Sequence, residues 1–262
     1  MLKRLLAAAV LVVSPLLLSS AFAQSQAEND SQNLQNHIIT VIRGGEAYAK
    51  PDLGIMVMSL RSSSPIAEEA VAENGHKAKA VESALAGLGF TSQSYKISSV
   101  TIGQAGGPRF GPSQPELVLY DASQFVYVFF EGPDLNDVGQ LTEKTATVIE
   151  ALRKAGAVPA NAGVPRSPVA TGELIIYTVK DSSAYEKQAL QQAIGRARDA
   201  AEDIAKGTGV QLTGLRNVRA GALSGNLQRG NMALEGLPYR FYSTKIDEVT
   251  IHANATVEYD FK

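Results

Sequence analysis

Apolar and polar positions alternate most regularly at the end of the chain. Val249, Ile251, Ala253, Ala255, Val257, Tyr259 and Phe261 are apolar, and the residues between them are polar. A period of two predicts a strand with one dry and one wet face. At ~3.3 Å per residue this strand extends roughly 40 Å, so it belongs to a large curved sheet or projects to pair with a neighbouring subunit. A period near 3.6 marks three helices. The first runs through Ala67, Ala70, Val71, Ala78, Val81, Leu85 and Leu88, with Ser64 as its cap, Pro65 in its first turn and Gly89 as its stop. The second runs from a cap at Asp134 through Leu135, Val138, Leu141, Val148, Ile149 and Leu152 to Gly156. In the third, Ala189, Ala193, Ala197, Ala201 and Ala205 share one face, and an alanine stripe permits close approach to whatever lies against it.

Shorter apolar runs predict further strands at 38–42, 53–60, 95–102, 117–120, 125–130 and 173–179. The first two read as a hairpin across Pro51 and Asp52, with Gly44 and Gly45 as a bulge or tight bend. Phe125 to Phe130 is apolar on both faces, which suits a strand at the centre of a covered sheet. Glycine and proline place loops at 103–115 and 158–168. The fold class expected is therefore α/β in the α+β sense: a mixed, largely antiparallel sheet of about seven strands with three amphipathic helices.

The N-terminal residues carry an address. Lys3 and Arg4 precede an apolar run from Leu5 to Leu18, and Ala21-Phe22-Ala23 has the small-x-small form of a cleavage site. Residues 1–23 are expected to be a signal peptide, 24–36 a polar tether and 37–262 the folded domain. No transmembrane span is expected after cleavage, which takes away two cations and no acid and shifts the charge of the chain from −2 to −4. The expected location is the periplasm, with outer-membrane association as a further possibility.

Composition then narrows the chemistry. The 262 residues include no cysteine, which excludes disulfides, thiol catalysis and thiolate metal sites. The three histidines, His37, His76 and His252, show no ligand spacing. Ser224-Gly225 lacks the flanking glycine of a nucleophile elbow, and the glycines after Gly103 lack the endings of phosphate-binding loops. Neighbouring Glu68 and Glu69, or Asp247 and Glu248, point apart on a helix or strand and make poor acid/base pairs. No catalytic residue, metal or cofactor is expected, and a charge of −2 gives no ground for nucleic-acid binding.

One asymmetry stands out between residues 207 and 245, where Arg216, Arg219, Arg229, Arg240 and Lys245 face the single acid Glu235. Read as a loop, this segment offers a contact for an anionic partner such as a lipid headgroup, a glycan or an acidic surface.

Local sequence adds a resemblance. Ile39-Thr40-Val41, leading through Gly45-Glu46-Ala47 to Lys50-Pro51-Asp52, resembles the opening of the SIMPL-domain family of bacterial envelope proteins. Glu186 to Leu190, then Ala193, Ala197, Arg198, Ala201, Glu202, Ala205 and Gly209-Val210, is similar to that family's alanine-rich helix, and the strand over 249–259 to its closing strand. The match resembles the periplasmic immunogenic proteins within the family, and residues 103–115 and 221–242 fit no family pattern. The resemblance implies a periplasmic α/β protein that forms homo-oligomers, takes part in envelope or oxidative stress tolerance and has no established reaction. The expected function is thus a non-enzymatic oligomeric scaffold or interaction protein of the envelope. Its alternatives are a small-ligand-binding protein with a pocket at Phe125, Tyr127 and Tyr239, and a hydrolase without a recognisable motif.

Overall fold

A computed structural model describes residues 37–106, 118–160, 174–225, 234 and 236–262. The expected signal peptide and tether, Arg229, and parts of the loops at 103–115, 158–168 and 221–242 lie outside the described residues.

Eleven strands and three helices are described, in the order β1 (Ile38–Ala49), β2 (Leu53–Ser64), α1 (Ala67–Gly87), β3 (Tyr95–Ile97), β4 (Thr101–Gly106), β5 (Val118–Glu131), α2 (Val138–Lys154), β6 (Ala157–Pro159), β7 (Ile175–Thr178), α3 (Ser183–Thr208), β8 (Leu212–Ala220), β9 (Ser224–Gly225), β10 (Tyr242–Ser243) and β11 (Val249–Phe261). A single turn of 3-10 helix, Gly132–Leu135, precedes α2. The α+β class holds, with a seven-stranded sheet in the order β10-β7-β2-β5-β3, β4 also pairing β5 and β6 also pairing β2. A second sheet, in the order β1-β11-β8 with β9 beside β11, was not separated in the sequence.

The chain divides into two compact units. The larger comprises Arg43–Arg196 and Ala220–Ala255; the described part of the smaller is residues 37–42, Ala197–Arg219 and Thr256–Lys262.

In the larger unit β2 pairs antiparallel with β5 along the whole length of β2, from Leu53 opposite Glu131 to Ser64 opposite Tyr120. Side chains alternate across the pleat, so both strands feed two cores. On one face Met56, Met58, Leu60, Val126, Val128 and Phe130 meet Val81 and Leu85 of α1 and Leu141, Val148 and Leu152 of α2. On the other, Leu53, Ile55, Val57, Tyr127 and Ile176 lie with Leu234, Leu237 and Tyr242. Fully burying each such side chain is worth about 1.5–3 kcal/mol, which is why strands apolar on both faces sit at the middle of the sheet.

Several local expectations change. The first two strands do not form a hairpin: β2 is flanked by β5 on one side and by β6 and β7 on the other, so β1 pairs with β11 instead. β1 continues through Gly44 and Gly45 to Ala49. The run at 95–102 divides into β3 and β4, and the runs at 117–120 and 125–130 are one strand, β5.

Ser64 belongs to β2. Its hydroxyl accepts from Ile66 N at 3.1 Å and donates to Glu69 Oε2 at 2.8 Å, so it braces the first turn while α1 starts at Ala67 without a side-chain cap. The cap of α2 is Asp137, whose Oδ1 accepts from Gly139 N and Gln140 N at 2.9 and 3.1 Å; Asp134 lies in the preceding 3-10 turn. Gly89 and Gly156 stop α1 and α2 as expected, at φ of +83° and +90° where a side chain would be strained.

Candidate functional site

Every second residue of β11 from Val249 to Val257 is buried, as the period of two predicts. Of the two expected positions it takes the one inside a sheet, since β11 is flanked by β1 on one side and by β8 and β9 on the other. The exposed rims of the four-stranded sheet are therefore β1 and β8, and they are built differently.

At the β1 rim, α3 lies against the strand. A Cβ on Gly45 would fall 2.1 Å from Ala189 O and 2.4 Å from Ala193 N, so only glycine admits the helix this closely. The alanine stripe is the other half of that fit: Ala189 and Ala193 are fully buried. This proximity lets α3 reach the backbone of β1. Glu46 N donates to Gln192 Oε1 at 2.6 Å, and Arg196 Nη1 donates to Gly44 O at 3.2 Å. Backbone groups that β11 does not take are thereby satisfied by side chains, which removes them as a template for another strand.

The smaller unit holds the β8 rim. Its core is Val41, Ala197, Ala201 and Val257, with Leu212 packed beside them. On the inner side β8 is tied down: Gln211 and Lys262 exchange two backbone hydrogen bonds of 2.9 Å, Arg216 Nη1 donates to Asp260 Oδ1 at 3.3 Å, and Asn217 Nδ2 donates to Glu258 Oε2 at 3.3 Å. Outward the strand is bare. Leu215 is 58% exposed and Val218 37%, and among the described residues β11 is the strand neighbour that β8 has.

The bare face of β1 and β11 carries a polar cluster. Tyr48 OH donates to Glu46 Oε2 at 2.6 Å, and His252 Nδ1 lies 3.3 Å from Glu46 Oε1. The Tyr48 hydrogen bond, with the charges of His252 and Arg196, holds the Glu46 carboxyl below its ordinary value of 4.5. The same bond and the Glu46 charge push the Tyr48 phenol above 10.0. Among the described residues no three His, Asp or Glu side chains are grouped to hold a metal ion.

The basic residues of 207–245 do not form one loop. Arg216 and Arg219 lie on β8 in the smaller unit, whereas Arg240 and Lys245 lie in the larger. Acids from outside the segment meet three of them: Arg216 pairs with Asp260, Arg240 Nη1 lies 2.9 Å from Glu186 Oε2, and Lys245 Nζ lies 3.6 Å from Glu248 Oε1. Arg240 also stacks over Phe241, 5.6 Å from the ring centroid. A count restricted to the segment could not see these partners.

Phe125, Tyr127 and Tyr239 do come together, on the second face of the seven-stranded sheet. Their neighbours Leu234, Leu237 and Tyr242 pack against the same face, and burial pushes the Tyr127 phenol up to about 12. The rim of β8 is what sequence reasoning missed. Its nine residues, LTGLRNVRA, have no clean period, since little of the strand is buried on either face.

Residues 39–259 match the SIMPL family, described as a protein of unknown function (DUF541). The chain belongs to the SIMPL family. No curated protein matches it at a significant level. The SIMPL match covers both sheets and all three helices, and two of the local patterns that resembled the family now have physical roles. Gly45-Glu46-Ala47 is the part of β1 on which α3 rests, and the alanines of α3 are the surface that rests there. No described helix is long and apolar enough to cross a membrane.

Proposed function

We propose that this SIMPL protein is a non-enzymatic interaction protein of the bacterial envelope that assembles with copies of itself through the β8 rim. The observation that carries the reading is a contrast within one sheet: Gln192 and Arg196 of α3 occupy Glu46 N and Gly44 O of β1, while among the described residues no helix side chain meets the backbone of β8, on which Leu215 and Val218 are exposed as Ile42 and Tyr48 are on β1. An open rim offers backbone donors and acceptors for pairing, and the exposed apolar side chains add area that becomes buried on contact. The periplasmic location rests on the expected signal peptide and on the family resemblance, as does a part in envelope or oxidative stress tolerance. Sedimentation of the purified protein tests the reading. An oligomer is expected, and Leu215→Lys with Val218→Lys should weaken it at least tenfold while leaving the thermal melt of the monomer within a few degrees. A monomer at all concentrations, or an oligomer indifferent to both lysines, would remove the proposal.

A further inference from the structure

A cleft of about 290 Å³ opens in the larger unit where the end of α1 meets the end of β5, the 3-10 turn and α2. This is near the low end of the ~300–1,000 Å³ usual for small-molecule sites, which points to a small ligand. Its walls include Leu88, Phe90, Phe129, Glu131, Asp134 and Lys144.

Three features of the cleft favour a positive charge. Lys144 Nζ already sits in it, 2.7 Å from Asp134 Oδ2 and 5.4 Å from the centroid of the Phe90 ring, so a carboxylate and an aromatic face converge on one ammonium. The C-terminal end of α1 forms a wall, and its last turn has no basic residue to offset the partial negative charge of a helix end. Glu131 supplies a second carboxylate, held at 2.7 Å by Lys180 with both side chains about half exposed. Thr91 and Ser94, their hydroxyl oxygens 3.2 Å apart, line the same cleft and can accept from an ammonium's remaining N–H groups.

We propose that this cleft binds an organic primary ammonium, and that Lys144 is its internal competitor. A ligand ammonium that replaces Lys144 exchanges one cation for another beside Asp134, so the carboxylate is never left uncompensated. The lysine side chain is long enough to withdraw into water, and an ion pair this exposed contributes only about 0–1 kcal/mol. A neutral alcohol would leave the Lys144–Asp134 pair in place, and an α-amino acid would need Lys144 to stay and hold its carboxylate. Of the three ligand classes, the ammonium alone requires Lys144 to withdraw.

Titration calorimetry of the purified protein with n-butylammonium chloride, n-pentanol and norleucine separates them. Saturable 1:1 binding of butylammonium is expected, at least tenfold tighter than pentanol or norleucine. Asp134→Asn should weaken it tenfold or more, and Lys144→Met should tighten it several-fold. Both variants remove the same ion pair, so a purely structural effect moves both in one direction, and matching circular dichroism melts verify folding. Butylammonium binding weakened by Lys144→Met, equal binding of pentanol, preferential binding of norleucine, or no saturation in either the native protein or Lys144→Met would each overturn the proposal.

Discussion

The two rims of the four-stranded sheet solve the same problem in opposite ways. At the β1 rim a helix comes close enough for Gln192 and Arg196 to occupy Glu46 N and Gly44 O, and the approach depends on a glycine facing an alanine stripe. At the β8 rim no helix side chain meets the backbone among the described residues, although both rims leave large apolar or aromatic side chains exposed, Leu215 and Val218 on β8 and Ile42 and Tyr48 on β1. An unpaired strand edge is a hazard that folded proteins ordinarily blunt, and the less protected of the two rims is the one on which the proposed self-association rests. The contrast also shows that sealing needs no extra strand. Two side chains can occupy two of the outward backbone groups when the helix axis is near enough.

The sharpest way to break the contrast is Gly45→Val. The new side chain would be driven into the backbone of α3 at Ala189 and Ala193, atoms that cannot swing aside. Overpacking of this kind usually costs about 1–3 kcal/mol, and a clash with helix backbone belongs at or beyond the upper end. The expected loss is about 3 kcal/mol or more, a fall in Tm of roughly 6–12 °C for a domain of this size. An unchanged melt would mean that α3 does not rest on β1. Gly44→Ala serves as the control, because its Cβ would meet only Asn254 Oδ1 at 3.4 Å and Ala253 O at 3.8 Å.

A milder change tests the seal without moving the helix. Gln192→Ala leaves Glu46 N without its partner, which should cost about 1 kcal/mol in a urea titration. With Arg196→Ala added, the β1 rim becomes a second open edge. Sedimentation should then show association that the β8 lysine variants alone no longer suppress. If the double variant keeps the native assembly pattern, the difference between the rims lies elsewhere than in these two hydrogen bonds.

How much of this was readable beforehand depends on whether a feature is local. The alanine face of α3 and the alternation of β11 repeat along contiguous chain, and both are in the structure as their periods predict. Pairing is not local. Pro51 and Asp52 looked like the corner of a hairpin, yet β2 finds β5 about 70 residues later, because its doubly apolar pattern needs two covered faces. Strands of two or three residues, such as β6, β9 and β10, are too short to show any period. The rim seal was half visible: Gly45-Glu46-Ala47 and the alanine stripe both drew notice, but nothing in either indicated that they touch. The ammonium cleft left no motif at all, since Phe90, Glu131, Asp134 and Lys144 come from a loop and three different elements and are ordinary residues in each.

The smallest effect concerns the face of the sheet and leaves its rim alone. Glu46 engages α3 through its backbone N–H, while its carboxylate, on the bare face, accepts from Tyr48. Tyr48→Phe removes the largest cause of the depressed Glu46 carboxyl, so its titration midpoint should move back up towards 4.5, read by carboxyl carbon NMR. A depressed carboxyl contributes stability that is present above its unfolded value and lost as pH falls through the folded one. The raised Tyr48 phenol contributes stability below 10.0 that is lost as pH rises through its folded value. One hydrogen bond therefore supports the native state between these two limits and is lost at either end of the pH range, and the phenylalanine variant should lose that support throughout. The assembly measured by sedimentation at neutral pH should not change, because Gln192 still holds the rim. A Glu46 midpoint that stays where it was, or an altered assembly, would show that face and rim are coupled.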